Sequence, residues 1–251
     1  MKTEPLTPAA LWLRKARSRL GLSRHALALA ALRWHGYRSN NRYTVFQVLP
    51  HTTGIASQKW RVLDRAHNKR NRSEYDGVFD VDIALAYATD ANLTGKPIYR
   101  NAECWLHREA ADKLAAAVML ARPLGFRLRL FDALRPTEAQ WALWRAHPDP
   151  EFVADPRRGS PHSRGVAVDL TLLDGEGREL EMGTAFDAFT PLSHHGRIDI
   201  SIEAQRNRLL LMGLMTAAGW DFYRNEWWHY QLFDARRYPL ICDADLPRPM
   251  M

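Results

Sequence analysis

The chain has 251 residues, of which 46% are hydrophobic and 25% are charged, a composition typical of a globular protein with a full hydrophobic core. No apolar run approaches the roughly 20 residues that a membrane span requires, and the short run at 26–32 lacks a small-residue cleavage site for secretion. We therefore expect a cytoplasmic protein without a membrane partner, whose two cysteines, Cys104 and Cys242, are free thiols.

The net charge of +7 hides two parts of opposite charge. Residues 1–75 contain 15 Lys and Arg against 3 Asp and Glu, whereas residues 76–251 contain 20 against 25. This break predicts two modules, a basic and mainly helical N-terminal segment over 1–75 and a second domain over 76–251. In the first module, helices are predicted over about 5–33 and 58–66. The charged run at 67–73 indicates a solvated surface or linker more often than a nucleic-acid contact.

Beyond residue 76 the pattern mixes helices and strands. Helices are predicted over 107–121, 137–146 and 202–218, and Thr137 is expected to cap the second of them. Strands are predicted over 126–130, 166–172, 220–223 and 227–232, with a turn at 174–177. The last residues, 246–251, are expected to be loose.

Two short strings carry side chains that suit a metal site. The first contains His162 and Asp169, and the second contains Glu226 and His229. Two imidazoles and one carboxylate can hold zinc and leave a coordination position open for water. A further carboxylate can accept a proton from that water, and Glu226 is the candidate. Arg135, which follows a predicted strand, is the candidate for a fixed positive charge beside the oxygen that becomes negative when an amide is attacked.

The spacing of these residues makes demands on the backbone. Asp169 lies on the small, polar face of its predicted strand, which can line a pocket. His162 lies in the preceding loop, and a turn at Gly165 can bring it back over the strand. Glu226 and His229 differ by three positions, so one site can use both only through a bulge or a local twist. Taken singly, each of these residues is more often structural, and only the joint pattern supports the metal hypothesis.

Seven strings, in order over about residues 80–239, resemble the D-alanyl-D-alanine dipeptidases within the wider zinc D,D-peptidase family. They lie at 87–97, 131–136, 159–172, 182–187, 193–195, 204–211 and 226–229. The resemblance implies an α+β, hedgehog-like fold with a small, mostly antiparallel sheet flanked by helices. It also implies zinc-dependent hydrolysis of the free dipeptide D-alanyl-D-alanine to two D-alanines, in cell-wall turnover or in resistance to glycopeptide antibiotics.

The same resemblance implies residue roles in the reaction. His162, Asp169 and His229 are expected to bind one zinc ion. Glu226 is expected to act as general base and acid, and Arg135 to stabilise the tetrahedral intermediate.

Substrate contacts are also implied by the resemblance. Tyr87 and Asp187 are expected to hold the amino group of the dipeptide, and Ser160 its carboxylate. A closed site that binds both charged ends rejects longer peptides, since these would leave a buried charge unpaired. The neighbouring His194 and His195 are left outside the zinc set, which is complete without them.

Two other functions remain open at this point. One is that of a D,D-carboxypeptidase or muropeptide endopeptidase of the same wider family. The other is a nucleic-acid-binding or antitoxin-like role through residues 1–75, where 36–47 and 67–75 resemble part of a small helical HEPN-type domain. No active residues are assigned to that segment, and the sequence leaves the oligomeric state undetermined.

Overall fold

The computed structural model describes residues 45–48, 61–62 and 80–251 of the chain. The strands and α-helices of this part are, in order, β1 (Val45–Val48), β2 (Arg61–Val62), β3 (Val81–Ile83), β4 (Cys104–His107), α1 (Arg108–Ala121), β5 (Arg127–Asp132), α2 (Thr137–Ala146), β6 (Ala167–Leu173), α3 (Ile202–Ala217), β7 (Asp221–Phe222) and β8 (His229–Gln231). The α+β class is confirmed, and both cysteines are free thiols as expected. None of the helices in the described residues has the length and apolar composition needed to cross a membrane.

The larger sheet positions the candidate site. Its strand order is β3-β5-β6-β8-β7. β3 is parallel to β5 and the other neighbouring pairs are antiparallel, so the expected mostly antiparallel sheet is confirmed. Every residue of the central strand β6 is buried. The register places Asp169 of β6 between Asp132 of β5 and His229 of β8, which brings three ionisable side chains to one end of the sheet.

The smaller sheet has the order β2-β1-β4. Its strand β1 comes from the basic N-terminal segment and pairs with β4 of the second predicted module. The helix predicted over 58–66 is wrong at Arg61–Val62, which pair with β1 as a strand. The other predicted N-terminal helices, the charged run and most of the HEPN-like strings lie outside the described residues. The boundary at residue 75 stays a prediction.

The predicted helices of the second module are present with ends that agree to within one residue. α1 and α3 contribute Leu114 and Leu211 to the main core, where they pack with Leu128 and Leu170 of the sheet. The predicted cap at Thr137 is wrong. Pro136 occupies the N-cap of α2, so Thr137 lies inside the helix, and its hydroxyl bonds to the Glu138 carboxylate instead.

A second core, which includes Trp105 and Leu143, lies around α2 and the C-terminal residues. The tail expected to be loose is docked there, so that prediction is wrong. The side chain of Met250 is fully buried, and its carbonyl accepts hydrogen bonds from the backbone N–H groups of Arg100 at 2.7 Å and Asn101 at 3.2 Å. Burial of an apolar side chain together with satisfied backbone groups explains why this terminus is ordered.

Candidate metal centre and substrate cavity

Three potential metal ligands meet at one end of the larger sheet. His162 Nε2 lies 3.3 Å from Asp169 Oδ1, and His229 Nδ1 lies 3.1 Å from the same oxygen. The two ring nitrogens are 3.1 Å apart, and all three side chains are buried. Ligand atoms at tetrahedral positions around a zinc ion, with bonds near 2.0–2.1 Å, are separated by roughly 3.3 Å. These three ligand atoms, which we call the donor triangle, therefore have the spacing that a zinc ion requires.

Local structure accounts for this convergence. Asp169 and His229 are cross-strand neighbours. His162 begins a short 3-10 helix that ends at Gly165, where φ is 66°. A Cβ at Gly165 would lie 3.1 Å from the backbone nitrogen of His107, so the left-handed conformation and the close approach both favour glycine. The expected turn before β6 is thus present, and it brings His162 next to Asp169 of that strand.

The second nitrogen of each imidazole has its own acceptor. His162 Nδ1 lies 2.7 Å from the carbonyl oxygen of Ala133, and His229 Nε2 lies 3.1 Å from Gln231 Oε1. These acceptors assign the ring protons to the outer nitrogens, so both inner nitrogens present lone pairs. Together with a carboxylate oxygen, these lone pairs repel unless a cation lies among them, which fits a metal ion. Gln231 was not predicted, although a spacing of two on a strand places it on the face of His229.

Glu226 lies beside the triangle, with its Oε2 3.8 Å from His229 Nδ1. The expected bulge or twist is replaced by a turn, in which the His229 N–H donates to the Glu226 carbonyl at 3.4 Å. Trp227 and Trp228 form this turn, so the strand predicted from Trp227 begins only at His229. A turn brings side chains three positions apart to the same side, which a strand does not.

Arg135 is held by three buried acceptors. Its Nε donates to Asp132 Oδ2 at 2.8 Å, its Nη1 to Gln140 Oε1 at 3.1 Å and its Nη2 to Asp169 Oδ2 at 3.4 Å. Tyr99 in turn donates to Asp132 Oδ1 at 2.9 Å. The planar guanidinium is thereby fixed beside the donor triangle. Asp132, Gln140 and Tyr99 were not predicted. Asp132 offered a signal, because it shares a short string with Arg135.

Tyr87 of a short 3-10 helix (Ala86–Ala88) and two residues on loops, Asp187 and Ser160, complete the cavity. The Tyr87 hydroxyl donates to Asp187 Oδ2 at 2.9 Å, and the Tyr87 ring centroid lies 4.8 Å from the guanidinium carbon of Arg135. Asp187 adopts a φ of 57°, which is uncommon for a residue other than glycine. Ser160 is buried, and its Oγ accepts a hydrogen bond from the His162 N–H at 3.2 Å.

All eight residues predicted from the sequence line one cavity of about 560 Å³. They are Tyr87, Arg135, Ser160, His162, Asp169, Asp187, Glu226 and His229. A volume in this range holds a small-molecule ligand. The structure therefore brings the predicted site residues together, while their roles stay predictions.

Three carboxylates in the cavity, of which Asp169 and Glu226 are buried and Asp187 is partly buried, have pKa values shifted in different directions. Burial opposes ionisation of Asp169, but positive charge at the positions of His162 and His229 holds its pKa well below the ordinary value. Burial raises the pKa of Glu226 well above its usual range, and the charge of Asp169 raises it further. Burial, again with the charge of Asp169, raises the pKa of Asp187 to about 7. Opposite shifts within one cavity are typical of groups with different chemical tasks.

The paired histidines next to the site lie apart from the triangle. His194 Nε2 faces Glu151 Oε1 at 3.4 Å on the rim of the cavity. The ring of His195 packs against Phe222 and Tyr230, with centroids 4.9 Å and 6.3 Å away. Neither belongs to the group of side chains that could hold a metal ion.

Comparison with known proteins places these features in context. The profile of the Peptidase_M15 family, described as D-Ala-D-Ala dipeptidase, matches residues 68–245. The D-alanyl-D-alanine dipeptidase of Escherichia coli K12 is 46% identical over 164 residues, which cover 65% of this chain and 85% of that protein. A D-alanyl-D-alanine dipeptidase of Enterococcus faecium is 36% identical, and one of Streptomyces coelicolor 35% identical. These matches cover 59% and 58% of this chain and 84% and 83% of those proteins.

Proposed function

The chain belongs to the D-Ala-D-Ala dipeptidase family of peptidases, and on that premise we propose that it hydrolyses free D-alanyl-D-alanine to two D-alanines. The observation that carries this proposal is the convergence of His162 Nε2, Asp169 Oδ1 and His229 Nδ1 within the cavity. These three atoms would hold one zinc ion per chain. When bound, zinc supplies Lewis acidity, which lowers the pKa of water and polarises a carbonyl group.

The two charged ends of the dipeptide have partners in the cavity. The carboxylate of Asp187, oriented by the Tyr87 hydroxyl, pairs with the substrate ammonium group. The Ser160 hydroxyl accepts from the His162 N–H and keeps its own proton for the substrate carboxylate. A peptide extended or acylated at the amino end of the dipeptide has a neutral amide where Asp187 requires an ammonium group, which leaves a partly buried carboxylate without its ion partner.

Glu226 is the residue that transfers the proton during the reaction. Burial holds the pKa of this carboxyl group well above its usual value, which makes it a stronger proton acceptor than an exposed glutamate. It accepts the proton of the attacking water and passes it to the amine that leaves. Arg135 faces the oxygen that becomes negative, and its bonds to Asp132 and Gln140 fix it there before the reaction.

The test compares two isosteric substitutions. Glu226→Gln keeps the shape of the site and removes the proton acceptor, so we expect one zinc per chain and a fall in kcat of at least about a hundredfold. The matched control is Glu179→Gln, which alters an ion pair with Arg129 outside the cavity and should leave kcat unchanged. Metal analysis and D-alanine release provide the readouts. Normal turnover by Glu226→Gln would contradict the assigned role.

The rival activity within the same wider family is distinguished by substrate length. A dipeptidase cleaves free D-alanyl-D-alanine and leaves a muramyl pentapeptide intact. A carboxypeptidase releases D-alanine from the pentapeptide. Cleavage of the pentapeptide at the same rate as the dipeptide would overturn the proposed substrate.

A further inference from the structure

A single arginine spans both ends of the loop that carries Asp187. Arg208 of α3 is buried, and its Nε donates to the Met182 carbonyl at 2.6 Å. Its Nη1 donates to the carbonyls of Leu192 at 2.9 Å and His194 at 3.1 Å. We call residues 182–194 the recognition loop. One planar side chain thus joins the first residue of this loop to its last turn.

This guanidinium has an unusual set of partners for a buried cation. Among the described residues its hydrogen bonds run to backbone carbonyls and to the Thr184 hydroxyl, and no carboxylate lies within ion-pair distance. Burial lowers the pKa of Arg208 to about 10. A buried charge without an opposite charge opposes folding. Its geometry, in contrast, suits the fastening of a loop, because the fork of donors reaches several carbonyls at once.

The recognition loop presents Asp187 to the cavity in a demanding conformation. Asp187 has a φ of 57°, a left-handed value that costs an ordinary residue of order 1 kcal/mol or more. Such a conformation persists when its surroundings hold it. The Tyr87 hydroxyl holds the carboxylate, and the Ser193 hydroxyl donates to the Ala188 carbonyl inside the loop. Arg208 closes the loop from outside the cavity.

The same cluster reaches the turn that carries Glu226. Thr184 Oγ1 accepts from Trp227 Nε1 at 2.8 Å and lies 3.5 Å from Arg208 Nη2. The backbone N–H of Trp227 donates to the Ser193 carbonyl at 3.0 Å. The guanidinium carbon of Arg208 lies 5.8 Å from the Trp227 ring centroid. The recognition loop and the residue next to Glu226 therefore share one network.

We propose that Arg208 is a positioning residue, which sets the place of the Asp187 carboxylate relative to Glu226 and so determines the preference for a substrate with a free amino terminus. The inference rests on the proposed function, because it requires that Asp187 binds the substrate ammonium group. Arg208 itself does not line the cavity. It acts through the loop and through Trp227.

The first test is Arg208→Lys. A lysine keeps the charge but cannot reach both ends of the loop, so we expect KM for D-alanyl-D-alanine to rise about tenfold while kcat falls less than about threefold. The preference for D-alanyl-D-alanine over its N-acetyl derivative, measured as a ratio of kcat/KM, should fall by a similar factor. Zinc content should stay at one per chain.

A matched variant separates positioning from general loss of stability. Met215→Ala removes a fully buried side chain on the same helix, two turns beyond Arg208, and should lower Tm without a change in KM. If this variant, at a comparable loss of Tm, raises KM as much as Arg208→Lys, the positioning role is overturned.

A second variant keeps the inference testable if Arg208→Lys does not fold. Thr184→Val removes the hydroxyl that accepts from Trp227 and lies within hydrogen-bond distance of Ser193 and Arg208. It should raise KM by at least about threefold to fivefold, since each hydrogen bond is worth about 1 kcal/mol. Thr184→Ser retains the hydroxyl and should restore KM. An unchanged KM in Thr184→Val would count against the network.

The two proposals fail in different ways. If the parent does not hydrolyse D-alanyl-D-alanine, the proposed function fails and this inference fails with it. If the parent is active and Asp187→Asn raises KM, while Arg208→Lys has the KM of the parent, only the positioning role is overturned.

Discussion

The donor triangle and the recognition loop are built by different means. His229 and Asp169 lie on strands whose register is set by backbone hydrogen bonds, and His162 lies on the turn that enters one of them. Asp187 lies on a loop that side chains from elsewhere hold in place. A metal site needs fixed distances, which a sheet supplies. On the proposed function, substrate selection depends on a loop, whose side-chain contacts can change without loss of the sheet.

The two regions also differ in electrostatics. The pKa of Asp169 is held low by positive charge at the positions of His162 and His229, whereas that of Asp187 is raised to about 7 because burial is the largest influence on it. A carboxylate that binds a metal ion must be ionised, whereas an imidazole ligand is neutral. On the proposed function, Asp187 meets a positive partner only when the substrate binds, and until then it accepts a hydrogen bond from the Tyr87 hydroxyl. The pKa values of Asp169 and Asp187 thus differ because Asp169 has positive charge beside it in the protein, whereas Asp187 gains a positive partner from the substrate.

Removal of a donor should have the largest effect. Asp169→Asn leaves two imidazoles and a neutral amide at the triangle, so we expect zinc content well below one per chain and a fall in kcat/KM of at least about a thousandfold. The control is Asp82→Asn on β3, which alters an ion pair with Arg129 of β5 and should retain zinc. Full zinc content in Asp169→Asn would remove Asp169 from the ligand set.

Arg135→Lys tests the residue that lies between the two regions, since Arg135 bonds to Asp169 and packs against the ring of Tyr87. A lysine cannot bond to Asp132, Gln140 and Asp169 at once, so the positive charge loses its fixed place. We expect kcat to fall about a hundredfold, as for loss of one donor to a developing oxyanion, with zinc retained. Steady-state kinetics and metal analysis measure both. A large rise in KM with unchanged kcat would move Arg135 from the reaction to substrate binding.

Asp187→Asn should act on binding more than on chemistry. Loss of a charge-assisted hydrogen bond to the ammonium group should raise KM about tenfold to a hundredfold. In the parent, Asp187 is neutral below its pKa and ionised above it, so 1/KM should increase as pH rises through about 7. The variant should lack this increase in a pH series of steady-state rates. A parent KM that does not change between pH 5.5 and 8 would contradict the role of Asp187.

Tyr87→Phe should have the smallest effect. It keeps the ring against Arg135 and removes the hydroxyl that orients Asp187. One hydrogen bond of about 1 kcal/mol corresponds to a rise in KM of roughly fivefold, with kcat unchanged. The same kinetic series measures it. An effect larger than that of Asp187→Asn would place the hydroxyl in direct contact with the reacting group.

The sequence predicted the donors better than the groups that hold them. His162, Asp169 and His229 could be predicted because imidazole and carboxylate ligands near strands form a small set of chemical patterns. The groups that accept hydrogen bonds from the outer ring nitrogens of His162 and His229 are harder to predict. Ala133 contributes a backbone carbonyl, which any residue has, and Gln231 is a common surface residue type.

Predictions from local sequence patterns were wrong where contacts between residues far apart in the chain determine the structure. The turn between Glu226 and His229 was interpreted as strand because Trp227 and Trp228 are good strand formers, yet their position depends on Ser193 and on the core. The burial of Met250 depends on hydrogen bonds to residues about 150 positions earlier in the chain. Asp187 and Tyr87, 100 residues apart, were assigned through the family resemblance and not through periodicity.

Zinc binding by His162, Asp169 and His229 is the property on which the proposed function rests. The direct measurement is a crystal structure of the zinc-loaded protein with anomalous data at the zinc edge. We expect one ion bound by His162 Nε2, Asp169 and His229 Nδ1 at about 2.0–2.2 Å, with Gln231 still accepting from the opposite nitrogen of His229. An active protein whose zinc is held by His194 and His195, or that holds no zinc at the triangle, would contradict the account.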